Sequence, residues 1–412
     1  MSPNAVSQGL VIVGGSYAAM QIAASAREAG YGEPIRIVSE EPVLPYQRPP
    51  LSKGYLTGKF AAAALPLRAE AFYRDNRIDV LLGRRAETID LGKGTLALAG
   101  GGELAFDRLA LATGTRPRPL PVPGAALDGV FVLRSLADAD RLRPCLDKAE
   151  RIVVIGGGFI GLELASVAAS SGKTVTIVEA QDRLLARGVS PQLAAFLADR
   201  HRSRGVALKL ATGVKEIRGD SGRAASVVCS DNAALPADLV LVAIGVVPNV
   251  ELAAAAGLSC QDGILVDRLA STQDRRIVAA GDCTRHPSAF AGQLLRLESV
   301  QNALDQAKTA GATVAGKEKP YESVPWFWSD QYDLKLQMVG LVQGHDRHAL
   351  RGSIDQGRFS IFYFRRDRLI AIDSVNRAAD HMLGRKLLTL GRSPTPEQAA
   401  DQSFDLQGLL TA

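Results

Sequence analysis

The feature that most constrains this 412-residue chain is a local unit that occurs twice. In both copies a short apolar run leads into a glycine turn and then into an alanine-rich stretch, at residues 10–19 and again at residues 151–161. A second apolar run follows each copy, at residues 35–39 and 174–178. Such runs are typical of strands buried in a parallel sheet, and the stretches between them are typical of helices. The sequence therefore predicts two βαβ units of the dinucleotide-binding kind.

The two glycine turns differ in detail. The second has glycine at all three characteristic positions, whereas the first keeps only the first glycine; the residues are Gly156, Gly158 and Gly161 against Gly14, Ser16 and Ala19. The first glycine allows a tight turn, the second lets backbone N–H groups approach a pyrophosphate, and the third lets helix and strand pack closely. The helix N-terminus adds partial positive charge. Because alanine is allowed at the third position, both turns are predicted to bind a dinucleotide.

Composition and cysteine spacing exclude several classes of protein. Hydrophobic residues make up 47% and charged residues 22% of the chain, as in a globular protein. The four cysteines lie far apart without a C-x-x-C pair, and the five histidines are scattered, so we predict neither a disulfide framework nor a metal site. The charge of +5 is spread along the chain, which argues against a nucleic-acid partner. Residues 1–9 lack a signal pattern and no apolar stretch could span a bilayer, so we expect a cytoplasmic protein without membrane contact.

Two further small-residue turns carry a resemblance to a known superfamily. An A-T-G turn follows the run at residues 109–111, and a G-D pair follows the run at residues 277–280. In this order the four turns resemble those of flavoprotein oxidoreductases with two Rossmann-like dinucleotide-binding domains, the glutathione reductase-like α/β fold. The resemblance implies a split FAD-binding domain at 1–117 and 248–325 and an NAD-binding domain at 118–247. The proline run at 116–123 is consistent with a linker at the first boundary.

The remaining residues, 326–412, predict a small α+β C-terminal domain. Alternating apolar strands are expected near residues 359–364 and 369–372, followed by a helix near residues 378–390.

Three longer motifs narrow the resemblance. A redox cysteine pair, as in disulfide reductases of the superfamily, is missing; the sequence instead has Leu44-Pro45-Tyr46-Gln47-Arg48-Pro49-Pro50-Leu51-Ser52-Lys53. With residues 298–303 and 325–331, this stretch resembles the FAD-dependent NADH:ferredoxin reductases of the putidaredoxin reductase type. That resemblance implies FAD as cofactor, NADH as substrate, a [2Fe–2S] ferredoxin as partner and, indirectly, a cytochrome P-450 or Rieske oxygenase. The alternatives are a rubredoxin reductase and a non-catalytic NADH-binding flavoprotein of the apoptosis-inducing-factor type.

The resemblance also implies site residues. Lys53 would lie near flavin N5 in an ion pair with Glu163, on the first helix of the NAD-binding domain, and Trp328 would lie against the exposed flavin edge. The other FAD contacts would be Gly14, Ser16, Ala18, Ala19, Glu40, Arg48, Ala86, Ala112, Thr113, Gly114, Arg134, Asp282, Ser299 and Val300. NAD contacts would be Gly156, Gly157, Gly158, Phe159, Ile160, Glu179, Arg187 and Gly245.

Charge at the end of the second βαβ unit predicts a nucleotide preference. A carboxylate about 4 Å from a 2′-phosphate charge costs on the order of 1 to 4 kcal/mol per unit charge, so Glu179 favours NADH over NADPH. Arg183 and Arg187 lie close behind it and would soften that preference. The basic stretch at 347–386 is a candidate docking surface for an acidic ferredoxin, with an ordinary solvated surface as the alternative. Cys283, beside Asp282, is expected to be a buried inert thiol.

Overall fold

The structure is a computed structural model that describes residues 8–411. Most of the N-terminal segment in which we predicted no signal pattern lies outside the described residues. The described residues divide into two compact units: the first takes residues 8–47, 62–116 and 247–325, and the second takes residues 48–61, 117–246 and 326–411. Between residues 8 and 411 there is no helix whose length and apolar character would let it cross a membrane.

The first unit is built around a five-stranded parallel sheet. Its central strand, Leu10–Val13, is the apolar run that opens the first βαβ unit, and it is buried along its whole length. Across the sheet the strands follow the order Ile277–Ala279, Arg108–Leu111, Leu10–Val13, Ile35–Val38 and Ile78–Leu81. Because all five strands are parallel, their carboxyl ends share one edge, where the first glycine turn, the A-T-G turn and the G-D pair follow their strands.

Further elements complete the first unit. Its helices are Tyr17–Glu28, Glu70–Asp75, Glu251–Ala255 and Val300–Val314, with a 3₁₀ turn at Ala62–Ala64. Two three-stranded sheets are formed by Ala86–Asp90, Thr95–Leu98 and Glu103–Ala105, and by Ile264–Leu265, Thr284–Ser288 and Gln293–Leu295. The helices Tyr17–Glu28 and Val300–Val314 cross closely because Gly311 has no side chain: a Cβ there would lie 2.8 Å from the carbonyl oxygen of Ile22.

The second unit repeats the parallel sheet. Its strands follow the order Ala207–Lys209, Thr174–Val178, Arg151–Ile155, Leu239–Val242 and Val130–Phe131, all parallel. An antiparallel sheet of Val214–Asp220, Arg223–Cys229 and Ala234–Pro236 accompanies it. Helices of this part are Leu136–Lys148, Phe159–Ser170 and Pro191–Ser203, with a 3₁₀ turn at Pro49–Ser52. The carboxyl edge of the parallel sheet collects the second glycine turn and Glu179.

Residues 326–412 form a five-stranded antiparallel sheet in the same unit. The strand order is Trp326–Gln331, Leu334–Gly340, Arg368–Val375, Arg358–Arg365 and Arg347–Ser353, followed along the chain by the helices Ala378–Thr389 and Pro396–Ala400 and a 3₁₀ turn at Leu406–Leu410. The ring of Phe359 on this sheet packs edge-on against Phe196, with ring centroids 4.9 Å apart. One hydrophobic core therefore joins the sheet to the second nucleotide fold.

Most predicted elements are confirmed and one detail is corrected. The predicted strands at 35–39, 359–364 and 369–372 are Ile35–Val38, Arg358–Arg365 and Arg368–Val375, and the predicted helix at 378–390 is Ala378–Thr389. The helix that carries Glu163 is not the first helix after residue 118, because Leu136–Lys148 precedes it. Ala86 begins the strand Ala86–Asp90, and the chain returns to the first unit through the strand Val246–Pro248.

Candidate functional site

The first glycine turn is shaped by close backbone packing. Gly14 has φ +126°, and a Cβ on it would lie 2.1 Å from the carbonyl oxygen of Ala112, so only glycine fits. The next helix begins with small residues, and Gly281 lies so near that its Cβ would be 3.3 Å from that of Ala18. Ala19 is fully buried. Small residues that follow three strands, Gly14, Ala112 and Gly281, thus pack closely around the start of this helix.

The two small-residue turns beside it are fixed by hydrogen bonds. Thr113 Oγ1 donates to the carbonyl oxygen of Asn249 at 2.7 Å, and Asn249 returns two bonds, from Nδ2 to the Thr113 carbonyl and from its backbone N–H to that of Gly114. The backbone N–H of Gly281 donates to Gln306 Oε1 at 2.8 Å. Cys283 is 0% exposed, as expected, and burial raises the pKa of its thiol. These bonds hold the predicted flavin contacts Ala112, Thr113, Gly114 and Asp282 in place.

Three other predicted flavin contacts lie in the same unit. Glu40 is exposed just beyond the strand Ile35–Val38. Ser299 caps the helix Val300–Val314, since its hydroxyl oxygen accepts from the backbone N–H of Asn302 at 3.0 Å. Ala86 is half-buried at the start of its strand. Direct contact with a flavin remains a prediction for all of them, together with Gly14, Ser16, Ala18, Ala19 and Val300.

The second glycine turn leaves open space where a ligand would approach. Gly156 has φ +108° and its Cβ would lie 2.4 Å from the carbonyl oxygen of Ala243; the Cβ of Gly161 would lie 2.2 Å from the carbonyl oxygen of Gly156. At Gly158, in contrast, a Cβ would meet its nearest neighbour only at 4.0 Å. Gly158 is the N-cap of the helix Phe159–Ser170 and has no side chain with which to cap it. The N-terminal N–H groups of this helix therefore suit an anionic ligand.

Glu179 and Arg187 border this turn. The carboxylate of Glu179 accepts from the backbone N–H groups of Gly157 at 2.6 Å and Gln181 at 2.8 Å. A Cβ on Gly245 would lie 3.5 Å from Nη2 of Arg187, so these two predicted NAD contacts are close together. Ile160, on the first turn of the helix, is 45% exposed. The structure therefore assembles the predicted NAD contacts around one turn; binding itself stays a prediction.

A buried ion pair lies one turn into the same helix. Nζ of Lys53 is 2.8 Å from Oε2 of Glu163, and the two side chains are 21% and 3% exposed. The same Oε2 accepts from the hydroxyl of Ser52 at 2.5 Å, and Oε1 accepts from that of Ser329 at 2.8 Å. Because both carboxylate oxygens have donors, the charge of Glu163 is compensated despite its burial. The predicted pair of Lys53 with Glu163 is therefore present.

Arg48, Arg134 and Trp328 belong to the second unit as well. Nη1 of Arg48 donates to the carbonyl oxygen of Arg134 at 2.8 Å. Trp328 is half-buried, with its ring centroid 5.6 Å from that of Trp326, and the guanidinium of Arg385 lies over the Trp326 ring at 4.5 Å. Whether Trp328 contacts a flavin stays a prediction, as do the flavin contacts of Arg48, Lys53 and Arg134.

The basic stretch at 347–386 is not a continuous free surface. Arg347 pairs with Asp367 and Glu397, and Arg377 pairs with Asp380 at 2.5 Å. Arg351 is 7% exposed and donates to four backbone carbonyl oxygens, those of Ala399, Asp401, Gln402 and Phe404. These three arginines therefore stabilise the terminal region, and a docking surface would have to use other basic residues.

The two glycine turns fit the two nucleotides that the resemblance implies, FAD and NAD(H). Gly14 and Gly156 are backbone positions that a Cβ would block, and both stand before the first turn of a helix. Turns of this kind accept the pyrophosphate of FAD or NAD(H). Among residues 8–411, no group of three histidine, cysteine or acidic side chains is arranged to hold a metal ion.

Sequence reasoning missed four residues around Glu163. Ser52 and Ser329 stood inside the quoted motifs but were given no role, and Gln331 was the last residue of a motif. His201, one of the five scattered histidines, was given no functional role; it is 1% exposed and its Nε2 is 3.0 Å from Oε1 of Gln331. The motifs that contain the two serines could have drawn attention to them, whereas no feature of the neighbouring sequence distinguishes His201.

Comparison with known proteins gives the family. The model of the pyridine nucleotide-disulphide oxidoreductase family matches residues 8–307, and that of the reductase C-terminal region matches residues 326–410. Rhodocoxin reductase of Rhodococcus erythropolis is 46% identical over 398 residues, which are 97% of this chain and 93% of that protein.

Two solved structures share the whole fold. A ferredoxin reductase from Rhodopseudomonas palustris superimposes with a TM-score of 0.95 at 45% identity, covering 97% of this chain and 99% of that one. The covalent putidaredoxin reductase–putidaredoxin complex gives a TM-score of 0.95 at 39% identity, covering 98% and 99%. The pyridine nucleotide-disulphide oxidoreductase model spans more than half of the chain, and the relative and both structures match nearly all of it. The chain belongs to the pyridine nucleotide-disulphide oxidoreductase family and, within it, to the ferredoxin reductases.

Proposed function

We propose that this protein takes a hydride from NADH and, through bound FAD, passes electrons one at a time to a [2Fe–2S] ferredoxin that serves an oxygenase. When bound, FAD supplies the ability to accept two electrons together and release them singly. The similarity to reductases of rhodocoxin and putidaredoxin over nearly the whole chain supports this proposal. The proposal includes the division of residues 1–325 into an FAD-binding and an NAD-binding domain, followed by a C-terminal domain at 326–412.

The observation that carries the proposal is the buried pair of Lys53 and Glu163. Glu163 lies four residues after Phe159, the first residue of the helix that Gly158 caps. Four residues of α-helix rise about 6 Å along the axis. The charged end of Lys53 is thus held near the helix terminus that we propose for the dinucleotide phosphates. In such a position it places a positive charge beside a reacting ring without a nucleophile or acid–base triad.

Each residue has a binding or orienting role in this proposal. The first glycine turn binds the FAD pyrophosphate and the second binds that of NADH. Glu179 accepts from the ribose hydroxyls of NADH, and Lys53 orients toward flavin N5. Trp328 covers the flavin edge from which electrons leave toward the ferredoxin. We also place the protein in the cytoplasm, because its four cysteines are free.

Anaerobic titration of the FAD-loaded protein with NADH tests the proposal directly. We expect bleaching of the flavin absorbance, followed in stopped flow by rapid transfer to a [2Fe–2S] ferredoxin from the same organism. Protein that takes up no FAD, or that forms a stable complex with NADH without passing electrons on, would overturn it and favour the NADH-binding flavoprotein. Transfer to a rubredoxin with no transfer to any ferredoxin would assign the alternative acceptor.

The matched variant pair is Lys53→Met and Lys59→Met. Lys59 is exposed in the same segment, whereas Lys53 pairs with Glu163. Lys53→Met should slow flavin reduction by NADH at least about tenfold, the equivalent of about 1.4 kcal/mol in the barrier. Lys59→Met should leave the rate at its wild-type value.

A further inference from the structure

A chain of four hydrogen bonds runs from Glu163 to a distant tyrosine. Ser329 Oγ is 2.8 Å from Oε1 of Glu163, and Nε2 of Gln331 is 3.2 Å from that Oγ. Oε1 of Gln331 is 3.0 Å from Nε2 of His201, whose Nδ1 is 3.1 Å from the hydroxyl of Tyr332. Four of these side chains, those of Glu163, Ser329, Gln331 and His201, are at most 3% exposed. All five residues belong to the second unit.

The charge of Glu163 fixes the direction of every bond in the chain. A carboxylate only accepts, so the Ser329 hydroxyl must donate its single hydrogen to Oε1. The serine oxygen can then only accept from Gln331, which turns the amide N–H₂ toward Ser329 and the amide oxygen toward His201. An amide oxygen only accepts, so Nε2 of His201 must carry a hydrogen. Each donor thus points toward Glu163, and bonds aligned in this way polarise one another.

His201 completes the chain in one tautomer. Burial lowers the pKa of its imidazole, so the ring is neutral at neutral pH and carries a single hydrogen. With that hydrogen on Nε2, Nδ1 is an acceptor and takes the bond from the Tyr332 hydroxyl. The tautomer of His201 is therefore a consequence of a charge that lies three hydrogen bonds away.

We propose that Ser329, Gln331 and His201 form a positioning relay that orients the Glu163 carboxylate and thereby holds Lys53 in place for the redox site. The inference rests on the proposed function, since it assigns Lys53 a place near the flavin. The relay links two further elements to Glu163: His201 lies on the helix Pro191–Ser203, and Ser329 and Gln331 lie on the strand Trp326–Gln331, with Ser329 making the contact to Glu163. Both serine and glutamine point to the same side of that strand, because they alternate with Asp330. The terminal sheet thus contributes directly to the environment of Lys53.

Tautomer coupling is the property that separates a relay from simple packing. If Glu163 becomes a glutamine, Lys53 can only donate, so the amide oxygen stays on the side of Lys53 and the amide N–H₂ turns toward Ser329 as a donor. The direction of the whole chain is then free to reverse, with the hydrogen of His201 on Nδ1. A histidine that merely fills space would not respond to a change at residue 163.

The first arm of the test measures the tautomer by ¹⁵N NMR of histidine-labelled holoprotein. We expect the wild-type His201 to favour the Nε2–H tautomer at least about tenfold, which corresponds to about 1.4 kcal/mol. Glu163→Gln and Ser329→Ala should reduce that preference to less than about threefold. Gln331→Met, which breaks the next link, serves if Ser329→Ala does not fold. An Nδ1–H tautomer in the wild type, or a preference unchanged in the variants, overturns the relay.

The matched control is Ser360→Ala. Ser360 is also fully buried in the terminal sheet and its hydroxyl donates to a carboxylate, Asp380 Oδ2, at 2.8 Å, but it does not touch the relay. This variant should leave the tautomer of His201 as in the wild type.

The second arm measures the midpoint potential of the bound flavin. We expect Glu163→Gln to shift it, Ser329→Ala to shift it less in the same direction, and Ser360→Ala to leave it unchanged. If Glu163→Gln itself has no effect, the proposed place of the Lys53–Glu163 pair beside the flavin is wrong. If Glu163→Gln shifts the potential and Ser329→Ala does not, the pair stands and the relay is wrong.

Discussion

The glycine turns of the two nucleotide folds meet the same steric demand at their first position and different demands at their third. A Cβ on Gly14 or on Gly156 would strike the carbonyl oxygen just after the neighbouring strand, that of Ala112 or Ala243. At the third position Ala19 carries its methyl group in a fully buried site, whereas Gly161 has a carbonyl oxygen 2.2 Å from where a Cβ would stand. The sheet thus dictates the first glycine, and the closeness of each helix decides the third.

The helices that follow these turns differ in what they carry. Five residues into each helix stand Gln21 and Glu163. Gln21 makes a local bond to Ser25 at 2.9 Å, while Glu163 is buried and pairs with Lys53. In our proposal the common plan binds nucleotides, and this one side chain makes the second helix part of the redox site.

The largest effect is expected from alanine at the first glycine of either turn. Gly14→Ala and Gly156→Ala both place a Cβ on a backbone with positive φ and against a carbonyl oxygen that cannot move far. Backbone strain costs about 1 to 2 kcal/mol and overpacking about 1 to 3 kcal/mol, so we expect losses of about 4 kcal/mol in the free energy of unfolding. Urea denaturation measures the loss.

Each copy supplies its own control. Gly30 and Gly172 follow the two helices with φ +93° and +77°, and a Cβ on either would meet nothing within 4 Å. Their alanine variants should lose only the strain, about 1 kcal/mol. Equal losses at Gly156 and Gly172 would mean that the close approach to Ala243 does not matter.

The second-largest effect is expected at Glu163, the position at which the two helices differ. Glu163→Gln leaves the Lys53 ammonium without its counter-charge in a mostly buried place. Breaking a buried pair costs about 3 to 5 kcal/mol, and the 21% exposure of Lys53 lowers our expectation to about 2 kcal/mol. Gln21→Ala, at the corresponding position, should change the free energy of unfolding by less than about 0.5 kcal/mol. A comparable loss of the free energy of unfolding in both variants would show that the Lys53–Glu163 pair does not contribute more to stability than the local bond of Gln21.

Local sequence patterns predicted the paired folds but not the two serines that bind Glu163. The strands Leu10–Val13 and Arg151–Ile155 could be placed because an apolar run and a following glycine are neighbours in sequence. Ser52 and Ser329, in contrast, lie 111 and 166 residues from the carboxylate that they bind. No periodicity records such a pairing, because it depends on how the terminal sheet packs in the second unit.

Secondary structure without an apolar pattern was also missed. The helix Leu136–Lys148 has a capping box, Ser135 with Asp138, but contains Pro144 and few apolar residues. The assignment of residues 48–61 to the second unit likewise depends on tertiary contacts. Turn residues and burial patterns can be recognised from residues that are neighbours in the sequence. The unit to which a segment belongs depends on contacts with residues far away in the sequence.

Two buried titratable groups, one in each unit, should respond oppositely to pH. Burial raises the pKa of Asp373 in the second unit to about 7 and lowers that of His286 in the first to about 4. For Asp373 the pKa in the folded protein lies above the unfolded value of 3.8, so the folded protein loses stability as the pH rises toward 7. For His286 the pKa in the folded protein lies below the unfolded value of 6.5, so the folded protein loses stability as the pH falls toward 4.

Variants at these two residues test the opposite signs. Asp373→Asn should raise the free energy of unfolding by about 2 kcal/mol at pH 8 and have little effect below pH 4, since the charge penalty exists only above that range. His286→Phe should reduce the loss of stability between pH 6.5 and pH 4 by about 1 to 2 kcal/mol. Denaturation midpoints across this pH range give both slopes. If both variants changed the pH dependence of the free energy of unfolding in the same direction, the opposite effects assigned to Asp373 and His286 would be contradicted.

The smallest effect is expected at the carboxylates that end the two βαβ units. Glu179→Gln removes the charge that would repel a 2′-phosphate, while its amide oxygen still accepts from Gly157 or Gln181. The kcat/KM ratio of NADH to NADPH should fall about tenfold, which corresponds to about 1.4 kcal/mol and lies within the Coulomb range for such a pair. Glu40→Gln, in the first copy, should weaken FAD retention and leave that ratio unchanged. If Glu40→Gln alters the ratio and Glu179→Gln does not, the two turns have been assigned to the wrong nucleotides, because the coenzyme preference belongs to whichever fold binds NADH.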